Sequence, residues 1–198
     1  MSRAWPVNHV DPQAPVLDNA RRVLAVRIAE FYSYEPIVPF PELSEALHDM
    51  RISAKRLRYT LELFRPQFGK AGERQIERVK SIQEVLGTLH DHDVRIELIG
   101  DELSSLMVEQ SEKTREEIAD ASPDELGVIA ALALRPPPDD PRRGLIALLG
   151  REHAGRRSAY LRFRELWEQF AAEGMRRDLV ALSATPLSRR RQSRSSAA

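Results

Sequence analysis

The chain contains no cysteine. Disulfide frameworks, thiolate metal sites, CxxC redox chemistry and a cysteine nucleophile are therefore excluded together. Aromatic residues make up only 6% of it, too few for the stacking platforms that hold single-stranded nucleic acids. No apolar run approaches the roughly 18 residues that a membrane-spanning helix requires. The first residues also lack the charged-then-apolar pattern of a secretory leader, so a cytoplasmic protein with no membrane partner is expected. No P-loop, dinucleotide fingerprint, nucleophilic triad, zinc finger or RNA-recognition signature occurs, and no catalytic residue, metal or cofactor is assigned. Net charge is missing too, since 30 basic residues face 30 acidic ones. Taken as a total, that zero argues against a polyanion partner.

What the chain does have is helical periodicity. An apolar fraction of 42% over 198 residues is enough for a sizeable core. Apolar and polar residues never alternate for long enough to make a strand, so the class is all-α, a bundle of about six helices. A first helix is expected over 16–34, between Pro12 and Pro15 on one side and Pro36 and Pro39 on the other. A second, over about 41–65, carries Leu43, Leu47, Met50, Ala54, Leu57, Leu61 and Phe64 at four-three spacing, a packing seam. A third follows Gly69 and Gly72 with Ile76, Val79, Ile82, Leu86 and Leu89 in the same period. A turn near Asp91 is expected to cap a fourth helix to about 119, and Ser122-Pro123-Asp124-Glu125 opens a fifth to 135. A last helix is expected from about 142 to about 170, with a continuation past Gly174 to 182 as the longer alternative. Residues 1–182 thus read as one helical domain, with a stiff Pro-rich linker at 136–141 and a disordered basic tail at 183–198.

On the second helix, His48, Arg51, Lys55 and Arg58 are three, four and three residues apart. At about 100° per residue they form one line roughly 100° round from the apolar seam, so they border a crevice. Helix surfaces ordinarily intersperse acids at these spacings, and only Glu62 does so here. The plain reading is a solvated charged face. The functional one is a groove for a polyanion, because arginine presents a planar fork to phosphate oxygens, lysine a mobile point charge, and histidine a proton that nearby phosphates stabilise. Lys80 and Gln83 lie beside the third seam and form a second wall, and Arg21 and Arg22 stand on the first helix.

The segments Leu47-His48-Asp49-Met50-Arg51-Ile52-Ser53-Ala54-Lys55-Arg56-Leu57-Arg58-Tyr59 and Val79-Lys80-Ser81-Ile82-Gln83-Glu84-Val85-Leu86-Gly87-Thr88-Leu89-His90-Asp91-His92-Asp93-Val94 resemble the CHAD family, the conserved-histidine α-helical domain. The resemblance implies a helical bundle with a basic cavity that binds inorganic polyphosphate, without catalysis, at polyphosphate granules. It matches His48 to the name-giving histidine, Arg51, Lys55, Arg56 and Arg58 to the basic positions, Lys80 and Gln83 to the second motif, and Asp91 to an acid that holds a cavity arginine. The family has two related halves, and this chain shows one clear copy. His153, Arg156 and Arg157 give a faint echo of the first motif, so either the last helix supplies a degenerate second wall or two chains pair to complete the cavity.

Two other readings compete. The run His90-Asp91-His92-Asp93, with His48-Asp49, suggests an HD-type metal phosphohydrolase, since imidazole and carboxylate hold metals whose bound water is a nucleophile. Four adjacent helical residues point in four directions, however, and a cationic flank repels metal. Sequence-independent nucleic-acid binding through the stripe and the arginine tail is the other, and nucleic acid is the less favoured partner. Charge by segment removes the objection raised by the zero total. Residues 48–83 hold nine bases and four acids, net +5, whereas residues 84–125 hold three and thirteen, net −10. The charge is segregated, and fields at a groove follow the local arrangement.

Overall fold

A computed structural model of the protein describes residues 3–134 and 140–184. The protein is all-α, with six helices, one short 3-10 turn and no strand among the described residues. In chain order these are α1 (Val16–Tyr32), the 3-10 turn (Glu35–Ile37), α2 (Ser44–Leu63), α3 (Arg65–Asp120), α4 (Leu126–Leu134), α5 (Pro141–Ala172) and α6 (Met175–Ser183). Most of the linker expected at 136–141 and of the tail expected at 183–198 lies outside the described residues.

The boundaries follow from local chemistry. Pro15 precedes α1, and the Ser33 hydroxyl closes its last turn by donating to the Glu30 carbonyl at 2.7 Å. Pro66 sits one residue into α3, where a missing N–H costs nothing. Gly69, with φ 54° and ψ −148°, interrupts the first turns of α3 in a conformation that a Cβ would strain. Ser122 starts the approach to α4 as its sequence suggests, its N–H and hydroxyl both donating to the Glu125 carboxylate at 2.9 and 2.7 Å.

Two sequence expectations are corrected. No turn occurs at Asp91, because α3 continues through it to Asp120. The run His90–Asp93 holds neither proline nor glycine, and an aspartate on a helix flank does not by itself stop the helix. The last helix ends at Ala172, close to the earlier of its two expected ends, and the longer alternative through Gly174 is excluded. That glycine adopts the left-handed conformation (φ 78°) and separates α5 from α6.

The described chain separates into two compact units, residues up to 83 with those from 165, and residues 84–164. In the first unit α1 packs against α2 and α6. Its core consists of the predicted seams: Leu24, Ile28 and Phe31 of α1, Leu47, Met50, Ala54, Leu57 and Leu61 of α2, and Ile76, Val79 and Ile82 of α3. Each fully buried leucine here contributes about 2 kcal/mol by removal of apolar surface from water. Two seam positions are exceptions, Leu43, 41% exposed just ahead of α2, and Phe64, half-buried just after it. Trp167 packs on Phe31 and Tyr32, with ring centroids 5.6 and 5.7 Å apart, and Met175 and Leu179 bring α6 into the same core. Burial, followed by the neighbouring Glu35, pushes the Tyr32 hydroxyl well above its ordinary range.

In the second unit Leu86, Leu89 and Ile99 of α3 are buried, as are Ala159, Tyr160 and Phe163 of α5. Polar pairs register the two helices. His92 Nδ1 lies 2.6 Å from Glu152 Oε2, Arg95 reaches the same oxygen at 3.5 Å, and Arg156 Nε donates to Asp93. The hydrogen bond with His92 is the main cause that holds the Glu152 carboxyl below the usual glutamate range. Gly155 lets this happen, for a Cβ there would lie against the His92 ring, closer than van der Waals contact allows.

Candidate functional site

Helix α2 spans Ser44–Leu63, so His48, Arg51, Lys55 and Arg58 share one side of it as their spacing requires. All four are half-buried, because the stripe borders the seam of Leu47, Met50, Ala54, Leu57 and Leu61. Arg21 on α1 and Lys80 and Gln83 on α3 belong to the same unit and are also half-buried.

What distinguishes the arginines and lysines among these side chains is how little acid answers them. Half-buried arginines elsewhere in the protein are matched. Arg78 donates to Glu173 at 2.7 Å and to Asp178 at 3.3 Å, Arg142 pairs with Asp140, and Arg27 and Arg56 share Glu30. Arg51, Lys55 and Lys80, by contrast, make no ion pair among the described residues. Arg58 approaches Glu62 only to 3.7 Å and Arg21 approaches Asp18 only to 3.9 Å, beyond hydrogen-bond reach. The Nε atoms of Arg21, Arg51 and Arg58, and the Oε1 of Gln83, are buried with no hydrogen-bond partner. Buried donors left unpaired cost about 1–3 kcal/mol each, and like charges three and four apart on a helix add repulsion. An arrangement that raises the energy of the unliganded protein in this way is suited to an anion with many oxygens.

The remaining sequence-selected residues are placed differently. Arg56 points to α1, where it donates to the buried Glu30 at 2.6 Å, so it fastens α2 to α1. Arg22 is exposed and donates to the His9 carbonyl. Asp91 is exposed and makes no ion pair among the described residues; two positions on, Asp93 holds Arg156. Arg157 is exposed, and it lies with Arg156 and Asp91 in the second unit. The metal reading finds no support in geometry. Among the described residues no three His, Cys, Asp or Glu side chains converge, and His92 and Asp93 are engaged with Glu152 and Arg156.

Sequence reasoning passed over Glu30 and Gln75. Glu30 is 1% exposed, and its signal is the spacing of three from Arg27. Gln75 is 2% exposed, and the signal for it is its place four positions before Val79 on the seam of α3.

Residues 3–100, just under half of the chain, match the family model described as the CHAD domain. No curated protein and no solved structure matches the chain significantly.

Proposed function

We propose, from the match of residues 3–100 to the CHAD-domain model, a family associated with polyphosphate, that the chain binds inorganic polyphosphate without turning it over. The ligand lies along His48, Arg51, Lys55 and Arg58, with Arg21 and Lys80 contributing from α1 and α3. One observation carries this reading: the half-buried cations of the first unit that make no ion pair among the described residues, Arg51, Lys55 and Lys80, are on or beside this stripe, whereas Arg27, Arg56 and Arg78 are hydrogen-bonded to acids. Unpaired guanidinium N–H groups are restored to full hydrogen bonding when phosphoryl oxygens arrive, and a repeating anion matches a repeating row of cations. Arg56, Arg22, Arg156 and Arg157 are left outside the binding set. Asp91, which the resemblance makes a support for a cavity arginine, is left out as well.

Catalysis is not invoked, because the carboxylates and imidazole nearest the His-Asp run are bound up in the pairs that register α3 with α5. Association with polyphosphate granules follows from the ligand. The direct test is competition: long-chain polyphosphate and duplex DNA are offered together at fixed ionic strength. Polyphosphate should remain bound at equal phosphate concentration of DNA. Equal displacement by DNA would replace this reading with general phosphate-backbone binding.

A further inference from the structure

A second place in the first unit shows unmet polar chemistry, away from the basic stripe. An open hollow of about 470 Å³ lies between the start of α3 and the end of α6. Lys70, Arg74, Gln75 and Asp178 line it, over the apolar surface of Ala181 and Leu182. The break at Gly69 lets the helix restart at Lys70, which puts Lys70 and Arg74, four apart, on one face. Neither forms a hydrogen bond or ion pair among the described residues. Gln75 is only 2% exposed, and its Oε1 is buried without a hydrogen-bond partner. Asp178 is held by Arg78 at 3.3 Å and by Arg177 at 3.1 Å. The Arg177 hydrogen bond foremost, with help from Arg78, keeps its carboxyl below the usual aspartate range, so it is an acceptor only.

These groups make a specific demand. Two cations call for an anion, yet an ionised carboxylate and an amide oxygen call for a ligand that brings hydrogens of its own. Inner phosphoryl groups of a polyphosphate chain carry no O–H at neutral pH, and neither does sulfate. Orthophosphate does, since it keeps at least one proton there. We propose that this hollow is a binding site for inorganic orthophosphate. Bound as dihydrogen phosphate, the ion donates one P–O–H to Asp178 and the other to Gln75, and its remaining oxygens accept from Lys70 and Arg74. The protein would thereby bind the monomer at one place and, on the function proposed above, the polymer at another.

Calorimetric titration of the full chain tests this, with orthophosphate, sulfate and glycerol phosphate as the three titrants. Saturable binding of one orthophosphate is expected, with sulfate at least tenfold weaker and glycerol phosphate, mostly without a proton at neutral pH, intermediate. Arg74→Ala and Gln75→Met should each weaken orthophosphate at least tenfold and leave long-chain polyphosphate binding as it was. Asp178→Asn should narrow the gap between orthophosphate and sulfate, an effect that loss of folding could not imitate. Arg51→Ala with Lys55→Ala should remove polyphosphate binding and leave orthophosphate untouched, so that the two sites fail separately. The assignment is overturned if the wild type shows no saturable orthophosphate binding, if sulfate binds equally well, or if the ion is lost with Arg51 and Lys55 in place of Arg74 and Gln75.

Discussion

Arg56 of α2 donates to Glu30 of α1 at 2.6 Å, and the same buried carboxylate also accepts from Arg27. One acid thus neutralises two arginines and fixes the rotation of α2 about its axis. With Arg56 committed on one side, the row His48, Arg51, Lys55 and Arg58 is held on the other. Replacing Glu30 by alanine should therefore destabilise the protein by about 3 kcal/mol, the low end for removing one partner of a buried ion pair, since both arginines keep some solvent. Urea titration should show a lower midpoint at unchanged slope.

Unpaired cations make the opposite prediction for stability. Arg51→Met removes a buried N–H without a partner and relieves repulsion from Lys55, while the stem of methionine covers the same apolar surface. The ligand-free variant should gain about 1 kcal/mol and melt a few degrees higher than the wild type, while binding polyphosphate more weakly. Scanning calorimetry with and without polyphosphate reads both changes, because a ligand that binds only the folded state raises its melting temperature.

Gly155→Ala should disturb the second unit, where the added methyl would overlap the His92 ring. The ring must leave Glu152, and the crossing of α3 with α5 should loosen by about 1–3 kcal/mol, the usual range for overpacking. A proton NMR shift of the His92 ring, together with a lower urea midpoint, would register it.

Acid should weaken the same contact. The Glu152 carboxyl is depressed mainly by its hydrogen bond with His92, and then by the charges of His92 and Arg95 against an opposing burial effect. A depressed carboxyl contributes stability at pH above the ordinary glutamate value near 4.5, and that contribution fades as the pH falls below it towards the folded-state value. Glu152→Gln should therefore narrow its stability deficit against the wild type between pH 6 and pH 3, as followed by urea midpoints.

Much of the fold could be read from the sequence, and particular residues show why. Leu47, Met50, Leu57 and Leu61, like Ile76, Val79 and Ile82, declare a helix and its buried face through period alone, and they are buried as expected. The basic stripe was legible for the same reason, since its line on α2 follows from spacing. Pairings between distant positions were not. Arg56 looks like one more cation of the motif until the fold brings Glu30, 26 positions away, against it. Likewise the run His90–Asp93 suggests a metal site or a helix cap until Glu152 and Arg156, about 60 residues on, take two of its members. Gln75 was hidden by the ordinary assumption that a polar residue is solvated, although its position in the period of α3 is a core position.

The measurement that bears most directly on the account is the affinity of long-chain polyphosphate at two salt concentrations, for the wild type and for Arg51→Ala with Arg58→Ala. Helical content by circular dichroism should be the same for both. If the stripe is the site, the double variant should bind at least tenfold more weakly, and the salt dependence of its affinity should fall by about two released counterions, one for each lost phosphate contact. An unchanged affinity with an unchanged salt dependence would contradict the account, and would place the polymer somewhere other than on α2.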